Sequence, residues 1–410
     1  MIHTKIKKKI WNFTTIIVSL FLSLLIANFI FIKISNQKNF PRSLAGSLPN
    51  LLLTFYPDTY DKDNLDNYIA VLGDSYSQGG GDAYLNNKYD YSFLHHFHKN
   101  DEKNYLNFGR GGFGSISAVS NLIKVKKLSN LINLVKNLKK PKSVIFIFYE
   151  GNDLEENIYE YNLLSKSGEG IPNFVSRRIE ENIKLKTMEK LTNTFPLLFF
   201  LDKLILHANN LIKKISRTND RNEIFLLFKN RIKKLFGKTI VLDRPKLNPE
   251  TYINSIKNHN KVRNIQPLQS AAVVLSKEEI TTALKIFFQS IKYLRDWSEV
   301  KSITILYIPS PISCYDWKNP IAFEFKDPIV GGYGNEIKRT SNKTNNLKSV
   351  FIRNKISEFA EENDFYFLDT TNYIIKLGKN RILHGPLDWH HFNSAGYKYT
   401  SNFITKNISF

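Results

Sequence analysis

Tyr68-Ile69-Ala70-Val71-Leu72-Gly73-Asp74-Ser75-Tyr76-Ser77 is the stretch from which the fold of this chain can be read. Five consecutive apolar residues run straight into a glycine, an acid and a serine. A short apolar run closed by turn-formers predicts a strand buried on both faces. Four further runs of the same kind follow, at residues 105–108, 144–148, 303–308 and 365–368. Between them apolar residues recur at helical spacing, over residues 116–138, 278–297 and 350–362. Such alternation predicts an α/β fold, a mostly parallel sheet with helices on both faces. Reactive groups in these sheets gather beyond the carboxyl ends of the strands. The polar motifs of this chain fall there.

The first motif is Gly73-Asp74-Ser75, which lets Ser75 open a helix directly after the strand. A serine hydroxyl becomes a nucleophile once a base takes its proton, and a helix N-terminus favours negative charge beside it. By itself the tripeptide is equally an ordinary helix cap. It is not the Gly-x-Ser-x-Gly elbow of the α/β-hydrolases, because Ser77 stands at the second glycine position. After the second strand comes Asn107-Phe108-Gly109-Arg110-Gly111-Gly112-Phe113-Gly114. Gly109-x-Gly111-x-x-Gly114 has the letters of a dinucleotide fingerprint but not its context. It does not follow the first strand, and no Asp or Glu lies between Lys103 and Tyr149 to hold a ribose. A glycine there suits close backbone approach and an N–H aimed at a developing oxyanion. After the third strand, Glu150-Gly151-Asn152-Asp153 offers the Asn152 amide as a further donor, with Asp153 placed to cap the next helix. Near the C-terminus, Asp388-Trp389-His390-His391 sets a carboxylate three residues before an imidazole, the pairing a serine's base requires. His390, two residues after Asp388, is the alternative base.

In this order and at these strand ends, the motifs resemble those of the SGNH (GDSL-type) hydrolases. The resemblance spans about residues 68–153 and 275–410. It implies a flavodoxin-like three-layer α/β/α fold, with Ser75 as nucleophile and His391 as base oriented by Asp388. The oxyanion hole would comprise the Ser75 and Gly112 N–H groups and the Asn152 side chain. One departure stands out: Glu150 occupies the place of the family's usual first glycine. The implied chemistry is ester hydrolysis without cofactor or metal, on an acyl ester such as an O-acetyl group of an envelope polysaccharide. The same triad would serve an O-acyltransferase. A non-catalytic anchored glycan-binding or assembly protein is the reading from another class, and the complete Ser75, Asp388 and His391 set argues against it. A lipid-acting enzyme is a further reading, motivated by the apolar run at residues 195–201.

The rest of the chain bears on placement. Residues 1–34 read as a short tail and a transmembrane anchor. Lys5, Lys7, Lys8 and Lys9 precede an apolar run at residues 16–32, and no charge falls between Lys9 and Lys33. That run is long enough to span a ~30 Å hydrocarbon core and too long and bulky for a cleaved signal peptide. The lysines predict a cytoplasmic N-terminus with the body outside the cytoplasm. Residues 35–66 read as a linker, 67–154 and 276–410 as the two parts of the hydrolase domain, and 155–275 as a helical insertion with a basic tract. The chain's net charge of +21 suits a polyanionic surface but is also what a Lys-rich composition produces, and no motif points to nucleic acid. With Cys314 the only cysteine among 410 residues, no internal disulfide can form. His95, His96 and His98 read as a surface or core cluster rather than a metal site, and Asp61, Asp63 and Asp66 as linker charges.

Overall fold

The computed structural model describes residues 22–32, 54–56, 58–61, 65–86, 91–131, 138–184, 268–298, 302–318, 320–324 and 336–408, with isolated positions at 15, 18–19, 196–197, 256 and 300. Eight strands lie in it: β1 (Tyr68–Leu72), β2 (Asn104–Asn107), β3 (Ser143–Tyr149), β4 (Leu268–Gln269), β5 (Ser302–Ile308), β6 (Ile321–Glu324), β7 (Glu336–Arg339) and β8 (Tyr366–Asp369). Five form one sheet in the order β2-β1-β3-β5-β8, and every pairing in it is parallel. The remaining three form a small second sheet, β4-β6-β7.

The helices are α1 (Ser75–Gln78), α2 (Asp82–Leu85), α3 (Phe93–Asp101), α4 (Ser115–Leu131), α5 (Asp153–Leu164), α6 (Ile171–Asn182), α7 (Ala271–Val274), α8 (Lys277–Ser298), α9 (Pro311–Cys314), α10 (Asn342–Glu362), α11 (Thr371–Gly378) and α12 (Ser394–Asn407). Strand side chains alternate between the two faces of the large sheet, as the two-residue period requires. Ala70, Leu72, Phe146 and Phe148 join one core with Val119, Phe174, Phe287 and Ile356 of α4, α6, α8 and α10. Ile69, Val71, Ile145 and Ile147 join the other with Phe93, Ile374 and Tyr397 of α3, α11 and α12. The result is the three-layer α/β/α arrangement expected. Strand order reverses between β1 and β3, the point beyond whose carboxyl ends sheets of this kind place their sites.

Some boundaries differ from expectation. Helix α10 begins at Asn342 rather than near residue 350. Its first two turns hold one large apolar residue, Leu347, which is 64% exposed, so no apolar period marks them. Capping holds them instead: Ser341 accepts from the Thr344 N–H, and Asn345 and Ser349 are buried. The end of the stretch read as a linker is packed against the sheet edge. Phe55, Tyr56 and Leu65 are buried, the Tyr105 N–H donates to the Thr59 carbonyl, and the Asp61 N–H donates to Asn104. The first part of the stretch read as an insertion is also core. Ile158, Phe174, Val175 and Ile179 of α5 and α6 pack under the sheet. Residues 185–195, 198–255 and 257–267 of that stretch, with its basic tract, lie outside the described residues.

Among the described residues no helix is long and apolar enough to cross a membrane. The part of the expected anchor that is described, residues 22–32, is helical. Leu22, Ile26, Phe29 and Ile30 on it are exposed. Residues 1–14, 16–17, 20–21 and 33–34 are outside the described set.

Candidate active site

Strand β1 delivers its chain to the site through Gly73, whose φ of +136° belongs to glycine. A Cβ there would stand 2.7 Å from the Ile147 carbonyl of neighbouring β3, so no side chain fits. Asp74 then caps α1, its Oδ1 accepting the Tyr76 N–H at 2.9 Å. Ser75 is the first residue of that helix. Gly79-Gly80-Gly81 carries the chain out again, and a Cβ on Gly80 would lie 3.0 Å from the His391 ring.

Ser75 Oγ lies 2.6 Å from His391 Nε2, and His391 Nδ1 lies 2.6 Å from Asp388 Oδ2. A carboxylate can only accept, so Nδ1 carries the proton and Nε2 is left to accept from the serine. Ser75 Oγ also lies 3.1 Å from Asp74 Oδ2, a longer contact competing for the same hydroxyl proton. Burial pushes the Asp388 carboxyl up, but the charges of His391 and His390 and their hydrogen bonds outweigh it and hold Asp388 well below the usual carboxylate range.

The loop bearing His391 is held from several sides. Tyr76 and Tyr149 both donate to the His390 carbonyl, at 3.0 and 2.9 Å. Asp82 accepts the Leu387 and Asp388 N–H groups, the latter at 2.9 Å. Asp388 Oδ1 takes the His390 N–H. Of the two adjacent histidines, it is the ring of His391 that reaches Ser75. Asp82, Tyr76 and Tyr149 carry no sequence signal for this role, because their partners are more than 240 residues away in the chain.

The glycine-rich turn after β2 lies against the nucleophile turn. The Arg110 N–H reaches the Gly73 carbonyl, the Gly111 N–H donates to Gln78 Oε1 at 2.8 Å, and a Cβ on Gly111 would stand 3.6 Å from Ser75 Cβ. Gly109 is so close that a Cβ would overlap Ser77 Oγ. Here the glycine pattern provides close packing against a serine turn. Gly112, at φ +77°, is exposed and has open space where a Cβ would be.

Asn152 sits at the N-cap position of α5 yet makes no capping bond. Its Nδ2 donates to Glu156 Oε1 at 3.1 Å, and its amide reaches the Asp74 carboxylate beside Ser75. Asp153 caps the end of β3, not the following helix: its Oδ2 accepts the Tyr149 N–H at 2.8 Å. Asp153 and Glu156 are held well above the usual carboxylate range, first by burial and then by the charge of Asp74, with Glu156 adding to the rise at Asp153 and Glu155 to that at Glu156. Asn152 Oδ1, Asp153 Oδ1 and Glu156 Oε2 have no hydrogen-bond partner among the described residues.

Glu150, at the family's glycine position, points away from this cluster. It is fully buried and takes hydroxyls from Tyr307 at 2.7 Å, Ser313 at 2.7 Å, Ser349 at 3.1 Å and Ser310 at 3.3 Å. The histidines of α3 lie elsewhere: His95 pairs with Ser92, and His98 with the Lys103 carbonyl. Among the described residues no three His, Cys, Asp or Glu side chains converge as a metal site would require.

Comparison with known proteins adds one finding. No curated protein matches the chain. Residues 69–240 match the family model of the GDSL-like lipases/acylhydrolases, a span from β1 past the end of α6. Together with the parallel sheet and helices on both faces, this match supports an SGNH-type hydrolase domain and a general acylhydrolase activity on ester bonds.

Proposed function

We propose that Ser75, His391 and Asp388 are the catalytic triad of a membrane-anchored esterase. The observation that carries the reading is the unbroken relay of two 2.6 Å hydrogen bonds from serine to imidazole to carboxylate. His391 Nε2 takes the hydroxyl proton as Ser75 Oγ attacks the acyl carbon. The resulting oxyanion is met by the N–H groups of Ser75 and Gly112 and by the Asn152 Nδ2 hydrogen that the resting site turns toward Asp74. Collapse expels the alcohol, which receives the proton from His391, and leaves an acyl group on Ser75. Water, deprotonated by the same imidazole, then releases the acid. Asp388 stabilises the imidazolium in both halves.

The substrate class is an acyl ester, such as an O-acetyl group, on an envelope polysaccharide outside the cytoplasm. Two features support that placement: the lysine-flanked apolar run at residues 16–32, and the exposed apolar side chains of its helical part. The test is hydrolysis of short- and long-chain aryl esters, and acetate release from O-acetylated polysaccharides, by the full chain in detergent. Ser75→Ala and His391→Ala are expected to lower kcat by about 10⁴-fold or more. Wild-type rates in both variants would end the triad assignment.

A further inference from the structure

Asn157 lies five residues beyond Asn152 on α5 and is 1% exposed. A buried amide costs stability unless its donors and acceptor are met. Here they are met by partners from two other elements. Asn157 Oδ1 accepts both the N–H and the hydroxyl of Ser115, each at 2.9 Å. Its Nδ2 donates to the Ala283 carbonyl of α8 at 3.4 Å. Ser115 opens α4, and its N–H is one of those that a helix start leaves without an intrahelical partner. The cap therefore comes from another helix. Gly114 makes the approach possible, since a Cβ there would stand 2.8 Å from Asn157 Oδ1.

The contact joins the two arms of the oxyanion hole. Ser115 is three residues after Gly112, at the end of the glycine-rich turn. Asn157 is a turn and a half along the helix that Asn152 starts. The separation between the Gly112 N–H and the Asn152 amide is set across this junction. We propose that Asn157 is a positioning residue for the oxyanion hole: it touches no substrate, and it acts by holding the Gly112 turn at a constant distance from Asn152. The proposal rests on the reading of Ser75, Gly112 and Asn152 given above. A misplacement of about 1 Å is enough to cost on the order of 10²-fold in rate.

The experiment uses the full chain in detergent, with a short aryl ester as substrate. A fluorophosphonate serves as covalent probe of Ser75 and an alkylboronic acid as reversible transition-state analogue. Asn157→Ala is expected to lower kcat about 30-fold, keep KM within about 2-fold, and weaken the boronate by a factor similar to that in kcat. Asn157→Asp keeps an oxygen for Ser115 and is expected to recover kcat to within about 5-fold of wild type. Ser290→Ala removes a neighbouring hydroxyl contact of Ser115 (3.1 Å) and a bond within α8 to the Ile286 carbonyl (2.8 Å), leaves the Asn157–Ser115 bonds in place, and is expected to stay within about 2-fold. A lowered Tm in Asn157→Ala with kcat and boronate affinity unchanged would make Asn157 merely structural and overturn the proposal. Should Asn157→Ala not fold, Ser115→Ala decides: a kcat loss of about 5-fold at constant KM supports the proposal, and no loss overturns it. An inactive wild type, unlabelled by the fluorophosphonate, would remove the parent reading and this proposal together. A labelled, active wild type beside an indifferent Asn157→Ala would remove this proposal alone.

Discussion

Two sets of carboxyls, buried except for the half-buried Glu156, flank the end of β3, and they are treated in opposite ways. Glu150 is enclosed by hydroxyl donors from β5, from α9 and the residue before it, and from α10, so both its oxygens are served. Burial still pushes its carboxyl up, but every hydrogen bond pulls the other way. Three and six residues on, Asp153 and Glu156 crowd against Asp74 with one oxygen each unserved among the described residues. The fully satisfied group bonds to β5, α9 and α10, while the crowded ones are raised by Asp74, the neighbour of Ser75. Polar networks that are complete rigidify a fold, and those left incomplete at one place mark where stability has been given up for a site. Glu150 thus ties layers together, while the cluster beside Asn152 belongs to the catalytic side.

Substitutions can break that contrast. The largest effect should come from a third kind of carboxyl, Asp388, which is half-buried and held ionised by His391. Asp388→Asn keeps the shape but favours the wrong imidazole tautomer, and kcat is expected to fall about 10⁴-fold with little change in the far-ultraviolet circular dichroism. Next comes Glu150→Ala. It strands the hydroxyls of Tyr307, Ser310, Ser313 and Ser349, and chemical denaturation should show a loss of about 3–5 kcal/mol. Activity per folded molecule should stay within a few-fold; a catalytic loss without a stability loss would dissolve the comparison.

Glu156→Gln should have the smallest effect and the opposite sign. A carboxyl raised in the folded state contributes stability that is present below its unfolded pKa of about 4.3 and is lost as pH rises through the folded value. Removing the titration should therefore leave the variant more stable than wild type at neutral and alkaline pH, by about 1 kcal/mol, with a flatter stability profile above pH ~4.5. The Gln oxygen can still accept from Asn152 Nδ2, so kcat should hold within about 3-fold. Equal pH profiles for wild type and variant would show that Glu156 is not raised.

Much of this architecture is legible in the sequence. The five strands of the large sheet fall within one or two residues of their expected bounds, because strands buried on both faces are continuous apolar runs. The small sheet was not legible. Its strands are two to four residues long, too short for any period to show. The same holds for the supports of the site. Nothing local distinguishes Asp82 in Gly-Gly-Asp from a turn residue, nor Asn157 from a solvent-facing helix residue.

The residues by themselves determined the alternation of strand and helix, the strand ends at which Ser75, Gly112 and Asn152 stand, the spacing of Asp388 and His391, and the positive charge of the chain. Those features depend on local chemistry: apolar periodicity, glycine at turns, a carboxylate three positions from an imidazole. Only the tertiary structure decided that His391 and not His390 reaches Ser75, that Asp153 caps a strand and not a helix, and that Glu150 faces a ring of hydroxyls. Each of those outcomes depends on which way a side chain points once layers distant in sequence have packed, and orientation of that kind is set by contacts that no local stretch of residues contains.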